Sequence, residues 1–140
     1  MVARLWNLLH DGVIERIDGS VPGDISLFIS VLYLREMFEG KGEGFILHLS
    51  DCSIFEFTLW DSAPTTDLRQ IEGAGIEVLS AKDGDPVKVC SAEGMLRVRY
   101  RSAGLRLDSG AAVSLDELEA AATRYWDRFE ARHRGVQGAG

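Results

Sequence analysis

Apolar residues take every second place between positions 24 and 34, where Ile25, Leu27, Ile29, Val31 and Tyr33 alternate with Ser26, Phe28, Ser30, Leu32 and Leu34. Strand side chains project to opposite faces at each step, so one face here is continuous apolar surface. The other face is half polar, which predicts a strand near the middle of a sheet. Phe45, Leu47 and Leu49, then Phe55, Phe57 and Leu59, repeat the two-residue period. They predict two strands of an antiparallel sheet with one wet side, paired as a hairpin through Ser50, Asp51, Cys52 and Ser53. Their opposite faces hold Ile46, His48, Ile54, Glu56, Thr58 and Trp60. If water covers that side, Ile54 and Trp60 form an apolar site ringed by Glu56 and Asp61. If a helix covers it they are core, and core is the expectation.

Further strands are expected at 13–18, 76–81, 86–91, 95–101 and 105–108, the later ones separated by Asp83-Gly84, Glu93-Gly94 and Ala103-Gly104. Turn signals at such short intervals mark a sandwich or barrel. Val2, Leu5, Leu8 and Leu9 recur at helical spacing and predict a short first helix ending near Asp11-Gly12, where glycine enters the left-handed region freely. Single helical turns are expected at 33–38 and after Asp67, which caps the second. Ser114-Leu115-Asp116-Glu117 is a capping box. Behind it Leu118, Ala121, Ala122, Tyr125 and Phe129 form an apolar stripe, with Asp116, Glu117 and Glu119 in the first turn and Arg132, His133 and Arg134 in the last, matching the helix dipole. The expected fold is mainly β (α+β). An antiparallel meander of about eight strands forms a sandwich or partly open barrel, with a short N-terminal helix and one long C-terminal helix packed on it. One domain would span 1–134, its helix 114–134, leaving 135–140 as a disordered tail.

Composition changes the picture in two places. No apolar run approaches the ~20 residues of a membrane span, and the start lacks the pattern of a signal peptide. A cytoplasmic protein with no membrane contact is expected, with Cys52 and Cys90 as reduced thiols. The net charge of −7 argues against nucleic acid, which wants a basic footprint. Positions 36–72 hold eight acids and two bases, while Arg97, Arg99, Arg101 and Arg106 crowd into a later stretch. On a structural reading these charges meet across neighbouring strands, at roughly 0.2–1 kcal/mol per pair. On a functional reading Glu36, Glu39 and Glu43 begin an acidic surface for a basic partner.

Candidate chemistry is sparse. The glycines at 40, 42 and 44 make a flexible loop, without the Gly-Lys-Ser/Thr ending or the strand and helix that phosphate-binding loops require. His10, His48 and His133 fall in different elements without ligand spacing, so neither a metal nor a cofactor is expected. Nothing near Cys90 in sequence lowers its pKa, and no serine lies in Gly-x-Ser-x-Gly. Glu56 and Asp61, five apart on one strand, point to opposite faces. No catalytic residue emerges, and an enzyme is not expected.

His10-Asp11-Gly12 follows Leu5-Trp6-Asn7-Leu8-Leu9 and precedes Val13-Ile14-Glu15-Arg16-Ile17. This opening resembles small bacterial proteins, mostly uncharacterised, that begin with Phe/Leu-His-Asp-Ala/Gly/Ser before a first strand. Some are assigned as immunity proteins of polymorphic toxin systems. A long second strand and the phenylalanine-rich 45–60 segment are similar too, so the likeness covers about the first 60 residues. The resemblance implies a β-rich domain that acts by binding a protein, with a toxin as the partner. Glu36, Glu39, Glu43, Ile54, Glu56, Trp60 and Asp61 are then the candidate surface. Beside it stands a structural reading of His10 and Asp11, which tie helix to strand at a helix end. Two other functions stay open: a small-ligand barrel with Phe28, Tyr33, Trp60 and Tyr100 lining its cavity, and a scaffold subunit that forms a homodimer through a strand edge.

Overall fold

The alternation along the chain is realised in two antiparallel sheets. A computed structural model describes the backbone of residues 3–139 and the side chains of residues 3–132. The elements run α1 (Arg4–Leu8), β1 (Val13–Gly19), β2 (Gly23–Ser30), α2 (Leu32–Arg35), β3 (Gly44–Cys52), β4 (Ile54–Leu59), α3 (Leu68–Gly73), β5 (Val78–Lys82), β6 (Val87–Ser91), β7 (Gly94–Arg99), β8 (Ser102–Leu107), β9 (Ala112–Val113) and α4 (Leu115–Ala139). The larger sheet has the order β1-β2-β3-β8-β9 and the smaller β4-β7-β6-β5.

A bent ribbon joins the sheets. β3 runs into β4 and β7 into β8, while β3 pairs with β8 and β4 with β7. Backbone hydrogen bonds from Ser53 N to Arg99 O and from Arg101 N to Ser50 O, both 2.9 Å, carry the ladder round the corner. Strands that change sheet do so at bends, and Asp51, at φ 51°, sits at this one. The hairpin expected between 45–49 and 55–59 is therefore replaced: the two segments feed one core from different sheets. Alternation sets which side of a strand is apolar, not which strand lies beside it. Ala103-Gly104, expected as a turn, lies inside β8 for the same reason. β2 is an interior strand, paired on both sides as its half-polar face requires, and β3 beside it is the central one.

The inward faces make one core. Ile25, Leu27, Ile29, Phe45, Leu47 and Leu49 meet Phe55, Phe57, Val87, Val89, Leu96 and Val98, all at most 1% exposed. Each fully buried side chain of this size contributes about 1.5–3 kcal/mol. Along one side the sheets touch through Asp11 N to Val78 O (2.6 Å), Val78 N to Gly12 O (2.8 Å) and Ile14 N to Ile76 O (2.8 Å), without closing into a barrel.

α4 lies across α1 and α2. Its capping box forms as expected, with Ser114 N donating to Glu117 Oε1 and Glu117 N to Ser114 Oγ, both 3.1 Å. Leu118 and Ala121 are fully buried, Tyr125 packs on Tyr33 at 4.6 Å between ring centroids, and Trp126 and Phe129 are exposed. His133 and the expected tail, 135–140, lie outside the residues whose side chains are described. Among the described residues, no helix is long and apolar enough to cross a membrane.

Candidate functional site

The acidic loop is built on a buried cation. Arg35, 1% exposed, donates from Nε to Asp108 Oδ1 at 2.8 Å and from its terminal nitrogens to the carbonyls of Glu39 (3.2 Å) and Lys41 (3.1 Å). Asp108 in turn accepts from the amides of Glu43 (2.8 Å) and Gly44 (3.3 Å). Burial disfavours the Asp108 carboxylate, but Arg35 and these two amides outweigh it and hold its pKa below the ordinary 3.8. A side chain at Gly42 would run into Asp108 Oδ1 and the Arg35 guanidinium. Thus the glycines serve a close approach around an internal ion pair. The loop, expected to be flexible, is pinned at both ends, and two of its amides already hold a carboxylate where a phosphate loop would hold its ligand. Glu36, Glu39 and Glu43 are left exposed on this collar.

Residues 54–61 sit on the other sheet. Ile54 is half-buried, and Glu56 faces Arg97 across the strands at 3.7 Å. Trp60 was expected in the core; it is 56% exposed. Its indole N–H donates to Ala92 O at 2.9 Å and its backbone N–H to Glu93 O at 3.3 Å, so the ring is fixed although it faces water. Leu59 beside it is also exposed, and Asp61 turns the chain away at φ 63°. Glu93 Oε2, shielded from solvent, has no hydrogen-bond partner among the described residues. Among the described residues, no hydrogen bond, ion pair or ring contact links Glu36, Glu39 or Glu43 to the Trp60 group. The seven candidates come from two segments, the one before β3, and β4 with the turn that follows it. Two of the four clustered arginines meet acids of the 36–72 segment, Arg97 with Glu56 on the neighbouring strand and Arg101 with Asp51 at 3.6 Å, while Arg99 meets Asp85, in the loop between β5 and β6, at 2.5 Å.

His10, Asp11 and Gly12 tie α1 to β1. His10 Nδ1 lies 2.9 Å from Asn7 O, so its N–H donates to a carbonyl at the helix end that also accepts the His10 backbone N–H at 3.3 Å. Asp11, not Gly12, takes the left-handed conformation, at φ 67°. Gly12 is small for packing instead: a Cβ there would lie 2.6 Å from Val31 Cγ2, 2.7 Å from Ile29 Cγ2 and 2.8 Å from Leu9 O. The tie extends to α4 through a ring cluster that local sequence did not reveal. Tyr33 Oη donates to His10 O at 2.9 Å, and Trp126 stacks on the imidazole at 5.9 Å. Burial, then the nearness of Asp11 and Tyr125, pushes the Tyr33 phenol well above its ordinary pKa.

Two further arrangements bear on chemistry. Ser26 Oγ and His48 Nδ1 are 3.1 Å apart on adjacent strands, a pair invisible in linear sequence. A working nucleophile also needs its base oriented by a third group, and His48 Nε2 has no hydrogen-bond partner among the described residues. The four aromatics considered for a ligand cavity do not converge. Phe28 lies under Arg16 on the outer face of the larger sheet, Tyr33 packs on Tyr125, Trp60 sits in the turn after β4, and of the four Tyr100 lines an open cleft of about 340 Å³ with Arg4, Leu5 and Leu105. Among the described residues, no group of three His, Cys, Asp or Glu could hold a metal ion. Cys52 and Cys90 are both free thiols.

Fold and surface together define a two-sheet antiparallel β protein whose long C-terminal helix packs against α1 and α2. No family model matches the chain, and no curated protein or solved structure matches it.

Proposed function

We propose that this is a non-catalytic protein-binding domain, and specifically an immunity protein that occludes a cognate toxin. The observation that carries the reading is Trp60, a large aromatic side chain turned to solvent and held still by its indole hydrogen bond. Rigid exposed aromatics lose little entropy on binding, and tryptophan is enriched among the residues that dominate interfaces. The exposed Glu36, Glu39 and Glu43 on their pinned loop add a charged patch that would speed encounter with a basic partner. The immunity role rests on the His10-Asp11-Gly12 opening and its likeness to toxin-immunity proteins.

Co-expression with toxins encoded beside it is the direct test, with protection and co-purification expected. Trp60→Ala should then weaken the complex by about 2 kcal/mol or more, roughly thirtyfold in Kd, with an unchanged melting temperature. Failure to protect against or co-purify with any of them overturns the toxin reading. A complex indifferent to Trp60→Ala moves the interface elsewhere. A second reading, small-ligand binding, is favoured by the Tyr100 cleft, whose size falls within the range of ligand pockets.

A further inference from the structure

The outer face of the larger sheet carries a row that exists only in the folded register. Arg16 on β1 is opposite Phe28 on β2, Phe28 is opposite Ile46 on β3, and Ile46 is opposite Arg106 on β8. Their sequence neighbours Ile17, Leu27, Leu47 and Leu107 point into the core, so this row points outward. Arg16 and Arg106 are exposed, and the Arg16 guanidinium lies 5.4 Å from the centre of the Phe28 ring. In the next row Asp18, Ser26, His48 and Gly104 are opposite one another, and a Cβ on Gly104 would meet nothing within 4 Å.

Each end of the row carries an exposed cation. On the smaller sheet Arg97 and Arg99 are neutralised by their own carboxylates, while Lys82 and Lys88, opposite one another, have none among the described residues. Arg16 and Arg106 have no carboxylate partner among the described residues, in a chain whose acids outnumber its bases 22 to 15. Three interstrand steps separate them, about 14 Å, with an aromatic and an aliphatic side chain between.

We propose that this face is a second interaction surface, one that takes an acidic amphipathic helix of another protein. Two carboxylates ten residues apart on a helix are about 15 Å apart, which matches the arginine spacing. Apolar residues three and seven positions after the first carboxylate fall on the same helix face and would cover Phe28 and Ile46. A nucleic acid is the poorer occupant, because two arginines on a chain of charge −7 make no polyanion track. The surface lies on the other sheet from Trp60 and wants the opposite charge, so it stands apart from the proposed function.

The test uses a stapled 16-residue helix with Glu at positions 3 and 13 and Leu at 6 and 10, titrated into the ¹⁵N-labelled full chain. Saturable shifts confined to β1, β2, β3 and β8 are expected, weakening with added salt. Arg16→Glu/Arg106→Glu should lose at least tenfold in affinity, and the peptide with Lys in place of both Glu should recover it on that variant. Arg106→Gln should show an intermediate loss while the melting temperature stays unchanged. No saturable binding, shifts scattered over other faces, or affinity that survives the double reversal would overturn the proposal. Inorganic phosphate or a short single-stranded DNA moving the same resonances with equal affinity would reduce the face to a plain anion site and overturn it too.

Discussion

Asp108→Ala removes the only carboxylate within reach of the Arg35 guanidinium among the described residues and leaves a cation that is 1% exposed. Removing one partner of a buried pair costs about 3–5 kcal/mol, because the remaining charge stays desolvated. The Asp108 side chain is 20% exposed, so water can enter the vacated space, and the lower end, about 3 kcal/mol, is expected. For a domain of this length that corresponds to a fall in Tm of roughly 10 °C. The amides of Glu43 and Gly44 lose their acceptor as well, and their hydrogen exchange should accelerate beyond the global change. The pH dependence has a definite sign. The folded pKa of Asp108 lies below the ordinary 3.8, so the stability it confers is complete above that value and is lost as pH falls through the folded one. Urea unfolding at pH 7 and at steps below pH 4 measures both effects. Wild type should lose stability steeply in that acid range, and Asp108→Asn should start lower and fall less. A cost under about 1 kcal/mol at pH 7, or identical acid slopes for wild type and Asp108→Asn, would refute the buried ion pair as the anchor of the acidic loop.

Three other outcomes follow from burial. Gly12→Ala should destabilise by about 1–3 kcal/mol, the usual range for overpacking, because its Cβ would collide with Val31 and Ile29; wild-type stability in chemical melts would show that these side chains move aside. Leu118→Asp places an unpaired charge at a position with 0% exposure and should cost about 3 kcal/mol or more, whereas an unchanged Tm would mean that α4 is not packed. Burial pushes the Cys52 thiol up to about 11, so iodoacetamide at pH 8 should spare it in the native protein and modify it after unfolding. Mass spectrometry of native and urea-treated samples checks this, and equal labelling of Cys52 in both contradicts its placement in the core.

What local sequence conveys is the facing of each residue, and what it omits is the neighbour. Phe45, Leu47, Leu49, Phe55 and Phe57 all point inward as their alternation requires, and the Ser114–Glu117 box closes at the expected atoms. The corner at Asp51 is not legible, because the partner strand β8 arrives some fifty residues later and decides that the chain turns into a second sheet. Arg35 reads as a surface charge until Asp108, 73 positions on, accounts for its burial; the glycines at 40, 42 and 44 were the available signal. His10 and Trp126 stand still further apart along the chain. The same physics divides the two candidate surfaces. Glu56, Trp60 and Asp61 share one strand and its end, so a short window of sequence suffices to nominate them, and only the exposure of Trp60 differs from what that window predicts. Arg16, Phe28, Ile46 and Arg106 come from four strands, and each looks ordinary in its own segment. Their chemistry arises from pairing register, since a one-residue slip of β1 or β8 would turn its arginine into the core and could not be tolerated there. The register that the core enforces on the inside thus fixes the spacing of two cations on the outside, which makes that spacing a property of the fold rather than of any one segment.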